Sequence, residues 1–179
     1  NNDFYGCDGA SYEYMELEAL TVEGICNESQ FPYQEYAPAS CPWTGTTTVF
    51  DAWTRVPYGD IDAIKAAIMT YGVVDAAVYA GTAFSAYDSG IYDDSNTTCT
   101  DGEYTTSNHA IALVGWDDNP PEGGGGVWIL RNSWNTSWGE SGYMRLRYDA
   151  AVVHCAVCYL QYGPPPETAP IFNSVSSQT

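Results

Sequence analysis

Positive charge is scarce in this sequence. Its 179 residues carry five Lys plus Arg against 23 Asp plus Glu, a formal net charge of −18. A surface that acidic repels phosphate backbones and anionic lipid, so nucleic acid and membrane surfaces are poor partners. It concentrates cationic peptides instead, or tolerates an acidic compartment. No apolar run approaches the roughly 20 residues of a membrane span, and Asn1-Asn2-Asp3 lacks a basic-then-apolar leader. The chain therefore reads either as a mature, processed form or as a piece of something longer. Histidine is limited to His109 and His154, and no internal repeat is present.

Apolar side chains are abundant, at 45% of residues, which is enough for a folded core rather than a disordered chain. Six cysteines accompany three glycosylation sequons, Asn27-Glu28-Ser29, Asn96-Thr97-Thr98 and Asn135-Thr136-Ser137. Together they point to a secreted or lysosomal/vacuolar protein. Spacing alone does not choose among the cysteine pairings.

Residues 8–23 read as a helix: Asp8 or Ser11 caps it, Tyr12, Met15, Ala19 and Val22 recur at helical spacing, and Gly24 stops it. From Cys26 to Gly59 the composition turns to Pro, Thr and aromatics, which means loops and short strands. A second helix follows, capped by Asp60, with Ile61, Ile64, Ile68 and Tyr71 on one face and Gly72 at its end. Strand-like runs cover residues 73–80, 110–116, 127–131 and 143–148. The loop 117–126, with Pro120-Pro121 and four successive glycines, reads as a long flexible hairpin connection. Helices in front and antiparallel strands behind give an α+β architecture in two unlike parts. Residues 1–45 belong to the helical part and 46–162 to the strand-rich part. Residues 163–179 form a flexible tail or linker.

His109 stands at the mouth of a buried strand, in Asn108-His109-Ala110-Ile111-Ala112-Leu113-Val114-Gly115-Trp116. Later come Arg131-Asn132-Ser133-Trp134 and Trp138-Gly139-Glu140-Ser141-Gly142-Tyr143. A hairpin joining these strands brings Asn132 beside His109. An Asn amide that accepts the imidazole N–H fixes tautomer and orientation without adding charge. A neighbouring indole shields that bond from water and strengthens it. This is the base-and-orienter half of a nucleophilic triad; the alternative is a satisfied structural histidine.

The ordered set Gly6-Cys7-Asp8-Gly9, Pro32-Tyr33, Asn108-His109-Ala110, Asn132-Ser133-Trp134 and Trp138-Gly139-Glu140-Ser141-Gly142-Tyr143 resembles the papain/cathepsin cysteine peptidases over about residues 4–160. The resemblance implies a papain-like two-part fold, with His109 as general base and acid, Asn132 as its orienter and Trp134 as the shield. It implies substrate-binding roles for Gly9, Ala10, Ser11 and Asn108. Peptide or protein substrates and an inhibitory propeptide are the implied partners, with no cofactor and no metal. It pairs Cys99 with Cys155, and it makes Cys7 a disulfide cysteine. Cys26 and Cys41 enclose a short loop and are expected to pair, although family members often join the second of these to an upstream cysteine.

One part of the family pattern has no match. The nucleophile of such enzymes lies in a Cys-Gly-Ser-Cys-Trp type segment roughly 130 residues or more before the His, which falls upstream of Asn1. The thiol is therefore expected on an N-terminal segment or chain outside this one, and the chain alone is expected to be inactive. Ala10 and Ser11 replace a Gly and an aromatic at the substrate-binding segment, and Asn135 replaces a Gly beside Trp134. The alternative function is a catalytically inactive papain-fold structural or binding protein. Two further motifs are weak. His154-Cys155-Ala156-Val157-Cys158 lacks the second pair a zinc site needs, and Asp93-Asp94 and Asp117-Asp118 lack calcium-loop spacing and read as solvated turns.

Overall fold

The computed structural model describes residues 9–10, 12, 14–33, 36, 45–94 and 107–163. In chain order they form α1 (Met15–Val22), β1 (Ala52–Arg55), α2 (Ile61–Tyr71), β2 (Val74–Val78), α3 (Thr82–Ser85), β3 (Ile91–Tyr92), β4 (His109–Asp117), β5 (Val127–Arg131), β6 (Tyr143–Arg147) and β7 (Val157–Gln161). The seven strands make one sheet in the order β1-β7-β2-β4-β5-β6-β3. Every neighbouring pair is antiparallel except β3 with β6. The architecture is α+β, as the order of helical and alternating patterns implies.

Alternation decides which face each strand buries. Met144 and Leu146 of β6 are fully buried, while Arg145 and Arg147 point to the other side. Trp128 and Leu130 of β5, Leu113 of β4 and Val78 of β2 join them in the core. Ile64 and Ile68 of α2 cover this layer, so the helix face read from the sequence is the face that packs. Asp60 caps α2 by accepting the Ala63 N–H at 2.9 Å, and Gly72 ends it at φ 87°.

Helix α1 departs from expectation. It begins at Met15, its N-cap is Tyr14, and no side chain caps it. The proposed caps Asp8 and Ser11 lie outside the described residues. Tertiary contacts anchor the helix start instead: Tyr14 stacks on Trp53 at 4.9 Å, and the Arg55 guanidinium lies 5.0 Å from the Tyr14 ring centre. The helix stops before Gly24, which has φ +74° and whose Cβ would lie 2.5 Å from the Thr48 carbonyl oxygen. Only glycine fits where the chain must approach that closely.

The glycine loop between β4 and β5 is tied down rather than free. Arg147 donates to the carbonyls of Gly123 and Gly125, Lys65 pairs with Asp118 at 2.6 Å, and Arg145 reaches Glu122 at 2.6 Å. Three of the five basic residues, Lys65, Arg145 and Arg147, are spent here. Of the expected tail, only Gly163 is described, and its N–H donates to Asp51.

Candidate active site

Strand pairing brings the candidate residues together. His109 opens β4 opposite Val78, the last residue of β2. Asn108 braces that junction: its backbone N–H donates to Val78, its Oδ1 accepts from the Ala80 N–H at 2.7 Å, and its Nδ2 donates to the Ala80 carbonyl at 3.3 Å. On the other side Leu113 pairs with Leu130 and Ala112 with Arg131, after a bulge at Val114 shifts the register. Directly opposed residues share a face, so Leu130 and Asn132 fall on the side that carries Leu113, Ile111 and His109. A register slip of one residue would turn Asn132 to the opposite side.

The Asn132 side chain meets the imidazole there. His109 Nε2 lies 2.9 Å from Asn132 Oδ1, and Oδ1 also accepts the Ser133 backbone N–H at 2.8 Å. A backbone N–H can only donate, so this second bond identifies the oxygen end of the amide. Nε2 must therefore carry the proton, which places the neutral ring's lone pair on Nδ1. Nδ1 has no hydrogen-bond partner among the described residues. Asn132 is 8% exposed, and its backbone N–H is held by the Gly142 carbonyl at 2.9 Å.

Aromatic rings enclose the pair. Trp134 stacks on the imidazole with centroids 4.6 Å apart and planes 29° from parallel. Phe84 of α3, fully buried, stands edge-on to Trp134 at 5.9 Å and to His109 at 6.4 Å, and stacks with Trp138 at 5.8 Å. An imidazole held in one tautomer, covered on one face by an indole and open at Nδ1, is suited to take a proton from a nucleophile.

The profile described as "Papain family cysteine protease" matches residues 1–162. The chain belongs to the papain family of cysteine proteases. It is 31% identical over 156 residues to a Caenorhabditis elegans protein named "Cathepsin L-like", covering 86% of this chain and 44% of that one. It is 30% identical over 144 residues to "Digestive cysteine proteinase 1" of Homarus americanus, covering 79% and 42%. The chain thus spans less than half the length of these curated relatives. The structure of the bromelain protease from Ananas comosus in complex with the E64 inhibitor superposes with a TM-score of 0.72, covering 89% of this chain and 73% of that one. At 23% identity that likeness speaks to the fold.

The papain-family motif that follows Trp134 holds the site's rim in place. Glu140 accepts from Arg145 through both oxygens, at 3.0 and 3.1 Å, and from the Gly90 N–H at 3.0 Å. Arg145 hydrogen bonds hold the Glu140 carboxyl below its usual range. The Trp138 indole N–H donates to the Ser85 carbonyl at 3.1 Å. Phe84, Ser85 and Ala80 escaped the sequence reading, because nothing local in Gly81-Thr82-Ala83-Phe84 marks a residue that acts through contacts some 25 to 54 positions away.

Other expected site residues are less gathered. Gly9 is exposed at φ 94°, and Ala10 avoids the left-handed region, so its methyl is tolerated. Ser11, Cys7, Cys41, Cys99 and Asn96 lie outside the described residues. Cys155 is disulfide-bonded. Cys26 is a half-buried free thiol, so the expected Cys26–Cys41 pair is not formed; the Ile25–Thr48 bridge holds that segment instead. Tyr33, from the Pro32-Tyr33 match, is 80% exposed. No group of three or more His, Cys, Asp or Glu poised to hold a metal occurs among the described residues. Asp118 is held by Lys65 and Tyr148, and Asp117 accepts the Asn119 N–H, which leaves both in loop anchoring. A cavity of about 900 Å³ borders Asn132 and is lined also by Leu17, Tyr71, Ile111 and Tyr159. No described helix is long and apolar enough to cross a membrane.

Proposed function

We propose that this chain is the C-terminal part of a papain-like cysteine peptidase that hydrolyses peptide bonds through a Cys-His-Asn arrangement, its thiol carried by an N-terminal segment or chain outside these residues. The observation that supports this reading is the doubly anchored Asn132 oxygen, which commits Nε2 of His109 to donation and leaves Nδ1 as the base. In this reading Nδ1 takes the thiol proton, and the thiolate attacks the substrate carbonyl. The imidazolium then hands its proton to the leaving amine, and an acyl-enzyme remains. Water, deprotonated by the same nitrogen, attacks the thioester and frees the acid and the thiol. Asn132 accepts the Nε2–H whether the ring is neutral or protonated and so keeps its orientation at each step, and Trp134 keeps water from that bond.

The compartment that suits the disulfide at Cys155 and the three sequons is secretory, lysosomal or vacuolar. The test is a comparison of this chain with its intact parent on a mixed peptide pool. Alone, the chain has an imidazole without a nucleophile and is expected to be inactive. The intact parent is expected to cleave in the presence of a reducing thiol and to stop on alkylation. Hydrolysis by residues 1–179 alone that survives alkylation would overturn the reading. An intact parent with a cysteine nucleophile and no activity would favour the scaffold function.

A further inference from the structure

The sequon Asn135-Thr136-Ser137 lies in the turn between β5 and β6, directly after the indole that stacks on His109. Asn135, Thr136 and Ser137 are all exposed. Asn135 has φ 75°, and its Oδ1 accepts from the Thr136 N–H at 2.5 Å and from the Thr136 hydroxyl at 3.2 Å. These bonds identify the oxygen end of the amide. Nδ2 is the other end, and it has no hydrogen-bond partner among the described residues. The turn beneath it is held by Trp138 N–H to the Asn135 carbonyl at 3.3 Å, by Gly142 N–H to the Trp138 carbonyl at 2.7 Å, and by the indole bond to Ser85. The peptidase reaction makes no use of this amide.

We infer that Asn135 carries an N-linked glycan that limits how far a substrate extends beyond its leaving amine. The bond forms between Nδ2 and the anomeric carbon of a lipid-diphosphate-linked oligosaccharide; Nδ2 gives up one proton, and the lipid diphosphate departs. The sequon meets the chemical requirement, with a hydroxyl residue two positions after the asparagine. Its place relative to the chemistry rests on the peptidase reading. The imidazolium delivers its proton to the leaving amine, so the leaving fragment departs past His109 and the indole beside it, and residue 135 stands on that rim. A small amine passes a branched oligosaccharide there, whereas a polypeptide continuing from the same nitrogen collides with it. Asn27, the other described sequon asparagine, lies between α1 and β1, outside the sheet that carries His109.

The experiment uses the intact parent, secreted from a host that performs N-glycosylation, with peptide mass mapping before and after glycosidase treatment. The Ser137→Ala variant removes the sequon but keeps Asn135 and its turn. We expect a glycan at Asn135 in the parent and none in the variant. Loss of the glycan should raise kcat/KM roughly tenfold on a peptide with a long extension after the scissile bond. On a substrate with a small amide leaving group, kcat/KM should stay within about twofold. An active parent with an unmodified Asn135, or a glycosylated parent whose two substrates respond alike to Ser137→Ala, overturns this inference alone. A glycosylated parent inactive on both substrates overturns it together with the peptidase reading.

Discussion

Asn132 and His109 divide the work unequally. In the proposed reaction His109 moves the protons, and replacing it by Ala in the intact parent is expected to remove a contribution of about 10²–10⁴-fold. Asn132 supplies one hydrogen bond, which is charge-assisted once the ring is protonated. Bonds to charged groups contribute about 1.5–3 kcal/mol, so Asn132→Ala should lower kcat roughly 10- to 150-fold, a smaller loss than His109→Ala. Steady-state rates on one peptide substrate settle the ranking, and equal losses would contradict the orienting role. Phe84 acts at one remove. It is fully buried against Trp134, Trp138 and His109, and Phe84→Ala should cost about 3–5 kcal/mol of stability by leaving a cavity. Thermal melting reads that cost, and Phe84→Leu should recover most of it without restoring the ring contacts.

Among the elements, the connections that frame the site depend on ionised carboxylates. Glu140 ties the turn before β6 to Gly90, and Asp118 ties the glycine loop to α2. Hydrogen bonds from Arg145 hold Glu140 below its usual value of 4.5, and those from Lys65 and Tyr148 hold Asp118 below 3.8. A carboxylate depressed in the fold stabilises fully above its unfolded pKa and loses that contribution as pH falls through the folded value. His154 behaves alike for a different reason: burial pushes its ring below 6.5, so acid must charge a group the fold keeps neutral. Melting temperature should therefore decline in two windows, the first below pH 6.5 and the second below pH 4.5. His154→Gln should flatten the first and Glu140→Gln the second, the latter costing about 2 kcal/mol near neutrality. A melting temperature independent of pH between 7 and 4 would refute both assignments.

For the whole molecule, the net charge of −18 sets a field that no single pair controls. Such self-repulsion opposes the compact state and is weakened by salt, whose screening length falls from about 30 Å at 0.01 M to about 3 Å at 1 M. The same field draws cationic peptides toward the molecule. This chain is expected to bind Lys- and Arg-rich peptides preferentially at low salt and to lose that preference as salt rises, while its melting temperature increases. Competition between a cationic and a neutral peptide across a salt series measures the first effect, and melting curves measure the second. A salt-independent preference would trace selectivity to a local pocket instead.

Local chemistry made several features readable in advance. Asp60 and Gly72 bracket α2 because a carboxylate cap and a positive-φ glycine act within a few residues. The cores of β2, β4, β5 and β6 follow from short apolar runs between turn residues, and His109 and Asn132 stand out because their flanking motifs are distinctive. Other features depend on residues far apart in the chain. The start of α1 is set by Tyr14 against Trp53, a contact across 39 positions that no capping rule reveals. The glycine loop read as free because its composition is free; Arg145 and Arg147 hold it from β6 and Lys65 from α2. The register that puts Asn132 on the same face as the imidazole depends on the bulge at Val114, and the proton's place on Nε2 depends on the Ser133 N–H. Sequence determined which groups are present and which segments bury them. Tertiary structure decided which nitrogen is left open, because that outcome rests on distances between strands joined by a nine-residue loop.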